Sequence, residues 1–325
     1  MNSNNPVFII MMGPPGSGKG FLMEYIIRYL NKELNINIDD AKKTIIDDLI
    51  EQDDDFIIKT SEFIKRYWSI DEINNLKSNI LDTVDSIVQN KSNELLNKLE
   101  KTSDELSKIY FETRKKYDIQ NDNNIKKHLS MKNSVIFETT GQNNFDWLYD
   151  KFITKEIRSN YNIILVYPYV NRSDILIQAI NRFIVQSNKI LTGTNTWVRL
   201  PNIKLLYNSI DIIQQNFVSL LKSCQHDKNL LDYTLLYDNR PRYPNEPKLV
   251  LVNVCNHDNT ERCDNINEFI KAIEIDKSSY DKLKSIKCLK GGNGYYSDYA
   301  KYKSKYLKLK YINNTKHLNN NPTDH

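Results

Sequence analysis

Near the start of the chain, Gly13-Pro14-Pro15-Gly16-Ser17-Gly18-Lys19 sets three glycines and a lysine in the spacing GxxxxGK. In a loop this poor in side chains, main-chain N–H groups can close on an anion. The helix start that follows adds donors and the positive end of a dipole. A lysine at this place bridges the β- and γ-phosphates of a nucleoside triphosphate and tracks the charge as it moves in transfer. Gly13, Pro14, Pro15, Gly16, Ser17, Gly18, Lys19, Gly20 and Phe21 are therefore the candidate binding residues for ATP. At a glycine usage of about 7% the bare pattern arises by accident ~0.1 times in such a chain, and the apolar run before it lowers that further. One position departs from the usual motif. Gly20 stands where a serine or threonine hydroxyl would ligate Mg²⁺, and Phe21 does not replace it. Either water and acidic groups hold the metal, or the site is weakened.

Phosphoryl transfer also needs a carboxylate near the acceptor hydroxyl and cations on the moving group. Asp48, with Asp47 as rival, is the candidate acceptor base, because both follow the short apolar stretch Thr44-Ile45-Ile46. The competing reading makes them the start of an acidic solvated surface that runs on through Glu51, Asp53, Asp54 and Asp55. Glu138 is the candidate for Mg²⁺ or acceptor binding, with Thr139 and Thr140 beside it; a cap or turn role competes. Arg182 and Arg199 are candidate phosphate clamps, being planar and permanently charged, with Arg172 a weaker third; ordinary surface ion pairs are the alternative. Cys224-Gln225-His226, Cys255-Asn256-His257 and Cys263 match no common zinc spacing.

The elements that must position these residues are legible from hydrophobic patterning. Val7 to Met12 is a continuous apolar run that fits a strand buried on both faces. A helical pattern then carries Leu22, Ile26, Ile27 and Leu30 on one face, through about Lys32. Further strands are expected at 44–46, 134–137, 162–167 and 248–254, and helices around Trp147 and Phe152, at 174–186 and at 203–222. Strands alternating with helices predict a doubly wound, parallel, five-stranded α/β sheet. Residues of about 60–130 are polar and helical, with Ile73, Leu76, Ile80, Val84 and Val88 at helical spacing, which predicts an inserted helical hairpin or small bundle. Acceptor-site capping, a structural role and partner binding all remain open for this insertion.

In their order, these motifs resemble the zeta-toxin-like P-loop kinases. The matching segments are GPPGSGKG at 13–20, IIDD at 45–48, FETTG at 137–141, RSDILIQAINRF at 172–183, WVRLP at 197–201 and LLYDN at 235–239, with the strand LVLV at 249–252. The resemblance covers roughly 5–255, less the helical stretch. It implies an ATP- and Mg²⁺-dependent kinase in which Lys19, Asp48 or Asp47, Arg182 and Arg199 carry the chemistry. Family toxins phosphorylate a UDP-linked amino sugar, so the acceptor expected here is a small-molecule hydroxyl, a nucleotide or nucleotide sugar among them.

The chain divides by its sequence into a kinase domain at 1–290 and a glycine linker, Gly291-Gly292-Asn293-Gly294, leading to a Tyr/Lys-rich helical tail at 291–325. Tyr295, Tyr299, Tyr302, Tyr306 and Leu309 fall at alternating spacings of four and three, a stripe suited to packing against a protein partner. The tail resembles an element appended to otherwise unrelated proteins of giant DNA viruses, which implies host cytoplasm or virion. At 325 residues and 40% hydrophobic content the chain can bury a real core. The N-terminus has no signal-peptide pattern, and the six-residue apolar run near it is far short of the ~20 residues of a membrane span. An intracellular protein with reduced cysteines and no membrane partner is expected. A formal net charge of +4 is too small to argue for nucleic acid. Two other functions compete with catalysis. One is a non-catalytic ATP-binding protein; the other is an interaction protein using the insertion and tail. Convergence of Asp47 or Asp48 and Arg199 on the phosphate site discriminates them.

Overall fold

The computed structural model describes residues 5–33, 35–36, 38–143, 146–226, 231–239 and 247–254. Elements follow in the order β1 (Val7–Met12), α1 (Lys19–Glu33), β2 (Lys42–Thr44), α2 (Ile46–Ile50), α3 (Asp54–Tyr67), α4 (Ile70–Ser78), α5 (Ile80–Val88) and α6 (Glu94–Ser130). After these come β3 (Val135–Thr139), α7 (Asp146–Lys151), α8 (Lys155–Asn160), β4 (Asn162–Tyr169), α9 (Arg172–Leu191), α10 (Ile203–His226), β5 (Tyr233–Asp238) and β6 (Lys248–Val254). The expected linker and tail, together with Cys255, Cys263 and Cys288, lie outside the described residues.

The fold is α/β. The sheet runs β2-β3-β1-β4-β5-β6, and its first five strands are parallel. Lys248–Val254, expected as the fifth parallel strand, is instead an antiparallel edge strand on β5. The fifth parallel strand is Tyr233–Asp238, a run whose tyrosines and aspartate mask its apolar character. The second strand is also corrected. It ends at Thr44, and Ile46–Ile50 coils into a short helix, so Asp47 and Asp48 stand in a helix's first turn.

Both faces of β1 are buried, as its unbroken apolar run requires. Val7, Ile9 and Met11 pack with Leu22, Ile26 and Leu30 of α1. On the other face the ring of Phe8 meets Phe137, which meets Trp147 and Phe152, and Tyr167 stacks on Phe217 at 4.3 Å. Helices thus cover the sheet on both sides. β1 connects toward β2 and β4 toward β5, in opposite directions from adjacent places in the sheet. A crevice therefore opens beyond the strands' C-terminal ends between β1 and β4.

The expected helical insertion is α3 to α6. Local signals start three of its helices: Asp53 Oδ1 accepts from Phe56 N at 2.8 Å, Ser69 and Glu72 form a capping box, and Asn93 Oδ1 accepts from Leu96 N at 2.8 Å. Ile64, Trp68, Ile73, Leu76, Leu99 and Leu106 build a shared core with α9. Trp68 fixes the packing: its ring lies 5.5 Å from Phe183, and its Nε1 donates to Thr102 Oγ1 at 2.9 Å. The bundle is therefore continuous with the helix that follows β4.

Gly141, just past β3, has φ +75°, and a Cβ there would lie 2.4 Å from Met12 Cε. Asn216 Nδ2 of α10 donates to its carbonyl at 2.8 Å, holding the turn closed. Gly141→Ala combines left-handed backbone with overpacking, each costing about 1–2 kcal/mol or more. It is expected to lower the unfolding free energy by at least ~2 kcal/mol in urea titration, with the m-value unchanged.

Candidate active site

Residues 13–18 turn between β1 and α1 beneath the crevice. Gly13 N donates to Thr139 O of β3 at 3.0 Å, and Ser17 N to Pro14 O at 3.1 Å. Gly16 and Gly18 both have φ +83°, which L side chains rarely adopt. A Cβ on Gly16 would also lie 3.1 Å from Ile175 O of α9. Ser17 is fully buried, and its Oγ has no hydrogen-bond partner among the described residues. Its carbonyl accepts from Asn239 Nδ2 at 2.8 Å, while Asn239 N extends the β4–β5 ladder by donating to Tyr169 O at 2.9 Å. Asn239 was not singled out in the sequence; it ties the far side of the loop to the sheet.

Lys19 opens α1. Its Nζ donates to Gly13 O at 2.9 Å and Pro14 O at 3.3 Å and lies 4.0 Å from Glu138 Oε2. Burial lowers the ammonium's pKa, while Glu138 and Asp47 push the other way. Burial also raises the pKa of the Glu138 carboxyl, against the pull of Lys19. Thr139 Oγ1 accepts from Gly141 N at 3.3 Å, and Thr140 is half-buried alongside. Phe21 turns away: it is 47% exposed and packs on Tyr25. Gly20 faces open space, with nothing within 4 Å of the position a Cβ would take.

Of the two aspartates, the structure brings Asp47 into the cluster. Arg199 pairs with Asp47 Oδ2, and Tyr110 OH donates to Asp47 Oδ1 at 2.6 Å. Burial opposes ionisation of Asp47, but Arg199 and the Tyr110 hydrogen bond outweigh it and hold the carboxyl below its ordinary pKa. Asp48 is exposed, and its carboxyl is raised by burial and by its neighbour Asp47. Tyr110 comes from the insertion. Arg199 lies 4.0 Å over its ring, a cation–π contact, and burial pushes its hydroxyl up to about 12. No sequence motif marked Tyr110; the one available signal was its place on the buried stripe of α6.

The segment carrying Arg199 is fastened to the insertion. Ser61 Oγ donates to Thr196 O at 2.9 Å, Thr60 Oγ1 accepts from Val198 N at 3.4 Å, and Ser107 Oγ donates to Leu200 O at 3.4 Å. Arg182 of α9 is exposed and has no ion pair among the described residues, yet it acts electrostatically on Lys19, Glu51 and Glu138. Arg172 belongs elsewhere: it pairs with Asp211 and lies over Tyr207, joining α9 to α10. A cleft of about 280 Å³ lies between the loop and α9, lined by Pro15, Gly16, Gly18, Gln178, Asn181, Arg182 and Arg199 among others.

Among the described residues no three His, Cys, Asp or Glu side chains gather to hold a metal. Mg²⁺ bound together with phosphates asks for only one or two carboxylates, and Glu138 beside Lys19 suits that role. No helix among the described residues is long and apolar enough to cross a membrane. No family model and no curated protein matches the chain.

Glu51, at the C-cap of α2, stood in the sequence only as part of an acidic run. Burial and repulsion from Asp47 and Asp48 push its carboxyl up to about 7, against Arg199 and Arg182. A carboxyl raised on folding binds more protons folded than unfolded. Stability therefore falls as pH rises from the ordinary glutamate range to about 7, and is flat above. Glu51→Gln is expected to raise the melting temperature at pH 8 by a few degrees and to leave it unchanged near pH 4, read by calorimetry.

Proposed function

We propose that the protein is an ATP-dependent P-loop kinase that transfers the γ-phosphoryl group to a small-molecule hydroxyl. The observation that carries this reading is the convergence of Lys19, Glu138, Asp47 and Arg199 at the open end of a glycine loop between a buried parallel strand and a helix. The zeta-toxin-like order of motifs agrees with it. A purely structural glycine turn has no need of a lysine and an arginine drawn from positions 180 residues apart in the chain.

In this reading the main chain of residues 13–18 cradles the β-phosphate, its glycines leaving room for the approach. Lys19 exchanges the carbonyls of Gly13 and Pro14 for phosphate oxygens. Arg199 and Arg182 neutralise charge on the γ-phosphoryl group. Asp47 and Tyr110 keep Arg199 aimed. Glu138 is the residue that would hold Mg²⁺ beside the phosphates, with Thr139 and Thr140 on the acceptor side. When bound, Mg²⁺ supplies Lewis-acid neutralisation of the phosphate oxygens. In this reading the acceptor approaches from the side of α2, where Asp47 holds Arg199.

A non-catalytic ATP-binding role is the second reading, supported by the missing hydroxyl at Gly20. Incubation of the full chain with labelled ATP and Mg²⁺ and a metabolite extract separates the two, because only a kinase puts label on a small molecule. Lys19→Ala is expected to abolish the rise in melting temperature on adding ATP. Gly20→Ser, which has space for its side chain, is expected to lower the Mg²⁺ concentration needed for half-maximal ATP-dependent stabilisation.

A further inference from the structure

Asp47 in α2 and Glu51 at its C-cap, one helical turn apart, sit in opposite circumstances. Glu51 N donates to Asp47 O at 2.8 Å, so the two residues share a face. Both oxygens of Asp47 are engaged, one by Arg199 and one by the Tyr110 hydroxyl. A carboxylate so held has little capacity to accept another proton. Glu51 is half-buried, and its carboxyl has no hydrogen bond or ion pair among the described residues. It lies within electrostatic reach of Arg199 and Arg182, the two cations assigned to the transferring group.

We infer that Glu51, rather than Asp47 or Asp48, is the general base that takes the acceptor's proton; the inference rests on the kinase reading above. An unpaired carboxylate one turn from the residue that holds Arg199 keeps its lone pairs for an incoming hydroxyl. Asp48 is exposed, with Lys43 as its cationic neighbour. Asp47 is a positioning residue that fixes Arg199. In the step, the acceptor hydroxyl oxygen forms a bond to the γ-phosphorus as its proton passes to Glu51. The bond from the γ-phosphorus to the β–γ bridging oxygen breaks, and its electron pair leaves with ADP. Glu51 then releases the proton to solvent.

The charged groups that act most strongly on Glu51 are Asp47 and Asp48 from α2, Arg182 from α9 and Arg199 from the segment before α10. Their balance, with burial, sets a proton affinity near neutrality, where a general base works best. A base with that affinity becomes active as pH rises through about 7. Asp47, held low, adds no limb there.

The test uses the full chain, γ-labelled ATP with Mg²⁺, and the small-molecule fraction of a cell extract as acceptor pool, from about pH 5.5 to 8.5. Wild-type transfer is expected to fall about tenfold per pH unit below about 7. Glu51→Gln is expected to lose about 10²–10⁴-fold in rate, and the acid limb with it, while ATP still raises its melting temperature. Added formate is expected to restore part of the rate to Glu51→Ala, which a structural role does not predict. Asp47→Asn is expected to slow transfer but keep the limb. If Glu51→Gln folds poorly, Glu51→Asp serves instead: it is expected to retain the limb at a reduced rate. Transfer by Glu51→Gln within about threefold of wild type, with the limb intact, overturns the assignment and leaves the kinase reading standing. Wild-type protein that is stabilised by ATP yet labels no small molecule at any pH removes both.

Discussion

The pair between Asp47 and Arg199 is the contact on which the arrangement of the crevice depends. Three separate stretches of chain meet there: the turn after β2, the middle of α6, and the segment between α9 and α10. Arg199 is nearly buried, with 11% of its side chain exposed, and an isolated guanidinium at such a place is costly. Asp47 supplies the counter-charge, and the Tyr110 ring covers the guanidinium face. Because Asp47 keeps 34% of its side chain exposed, its carboxylate stays partly solvated, and the pair's energy falls short of the ~3–5 kcal/mol of a fully buried one. The pair's value is therefore geometric more than energetic. It stands one fixed positive charge over the crevice opposite Lys19.

That view changes what the helical insertion is. Its apolar core is shared with α9, and its hydroxyls at Ser61, Thr60 and Ser107 hold the main chain on both sides of Arg199. A clamp that must close on a nucleotide pays ordering entropy at each binding event. Here the segment is already hydrogen-bonded in place, and the cation left exposed and unpaired among the described residues is Arg182 on α9. The insertion acts as a support for one of the two arginines that line the cleft, and Asn239 does the same for the loop itself from the opposite side.

How much of this was legible in the sequence depended on whether the signal was local. The glycine loop, α1 and the buried central strands announced themselves, because glycine spacing and unbroken apolar runs are read directly off neighbouring residues. Tyr233–Asp238 was harder, since tyrosines and an aspartate dilute its pattern; the more apolar Lys248–Val254 drew the assignment, although it is the antiparallel edge. Thr44-Ile45-Ile46 has strand composition, but pairing with β3 stops at Thr44 and the chain coils. Of the site residues, Lys19 lies beside Glu138, and Arg199 acts electrostatically on Lys19. Asp47 rather than Asp48 faces inward because α2 is a helix, which puts adjacent residues about 100° apart. Tyr110 and the setting of Glu51 were invisible for a different reason. Each has its role from contacts across 63 or more positions, or from the absence of contacts, and neither leaves a mark in neighbouring sequence.

Helix α6 runs unbroken through 37 residues, ~55 Å at 1.5 Å per residue. It passes through residues 131–134 directly into β3, and Tyr161 OH fastens its end by donating to Leu129 O at 2.8 Å and Asn133 O at 3.0 Å. Tyr110 on the helix and Glu138 on β3 are therefore joined through one short turn, and the phase of α6 fixes where Tyr110 stands relative to the sheet. Losing a single residue from 111–130 would swing Tyr110 by about 100° away from Asp47. Losing seven would restore its bearing but draw it ~10 Å along the axis. The length of this stretch is thus constrained in both directions. Surface loops that join helices ordinarily tolerate insertions and deletions, whereas here the distance along the helix sets where the arginine stands.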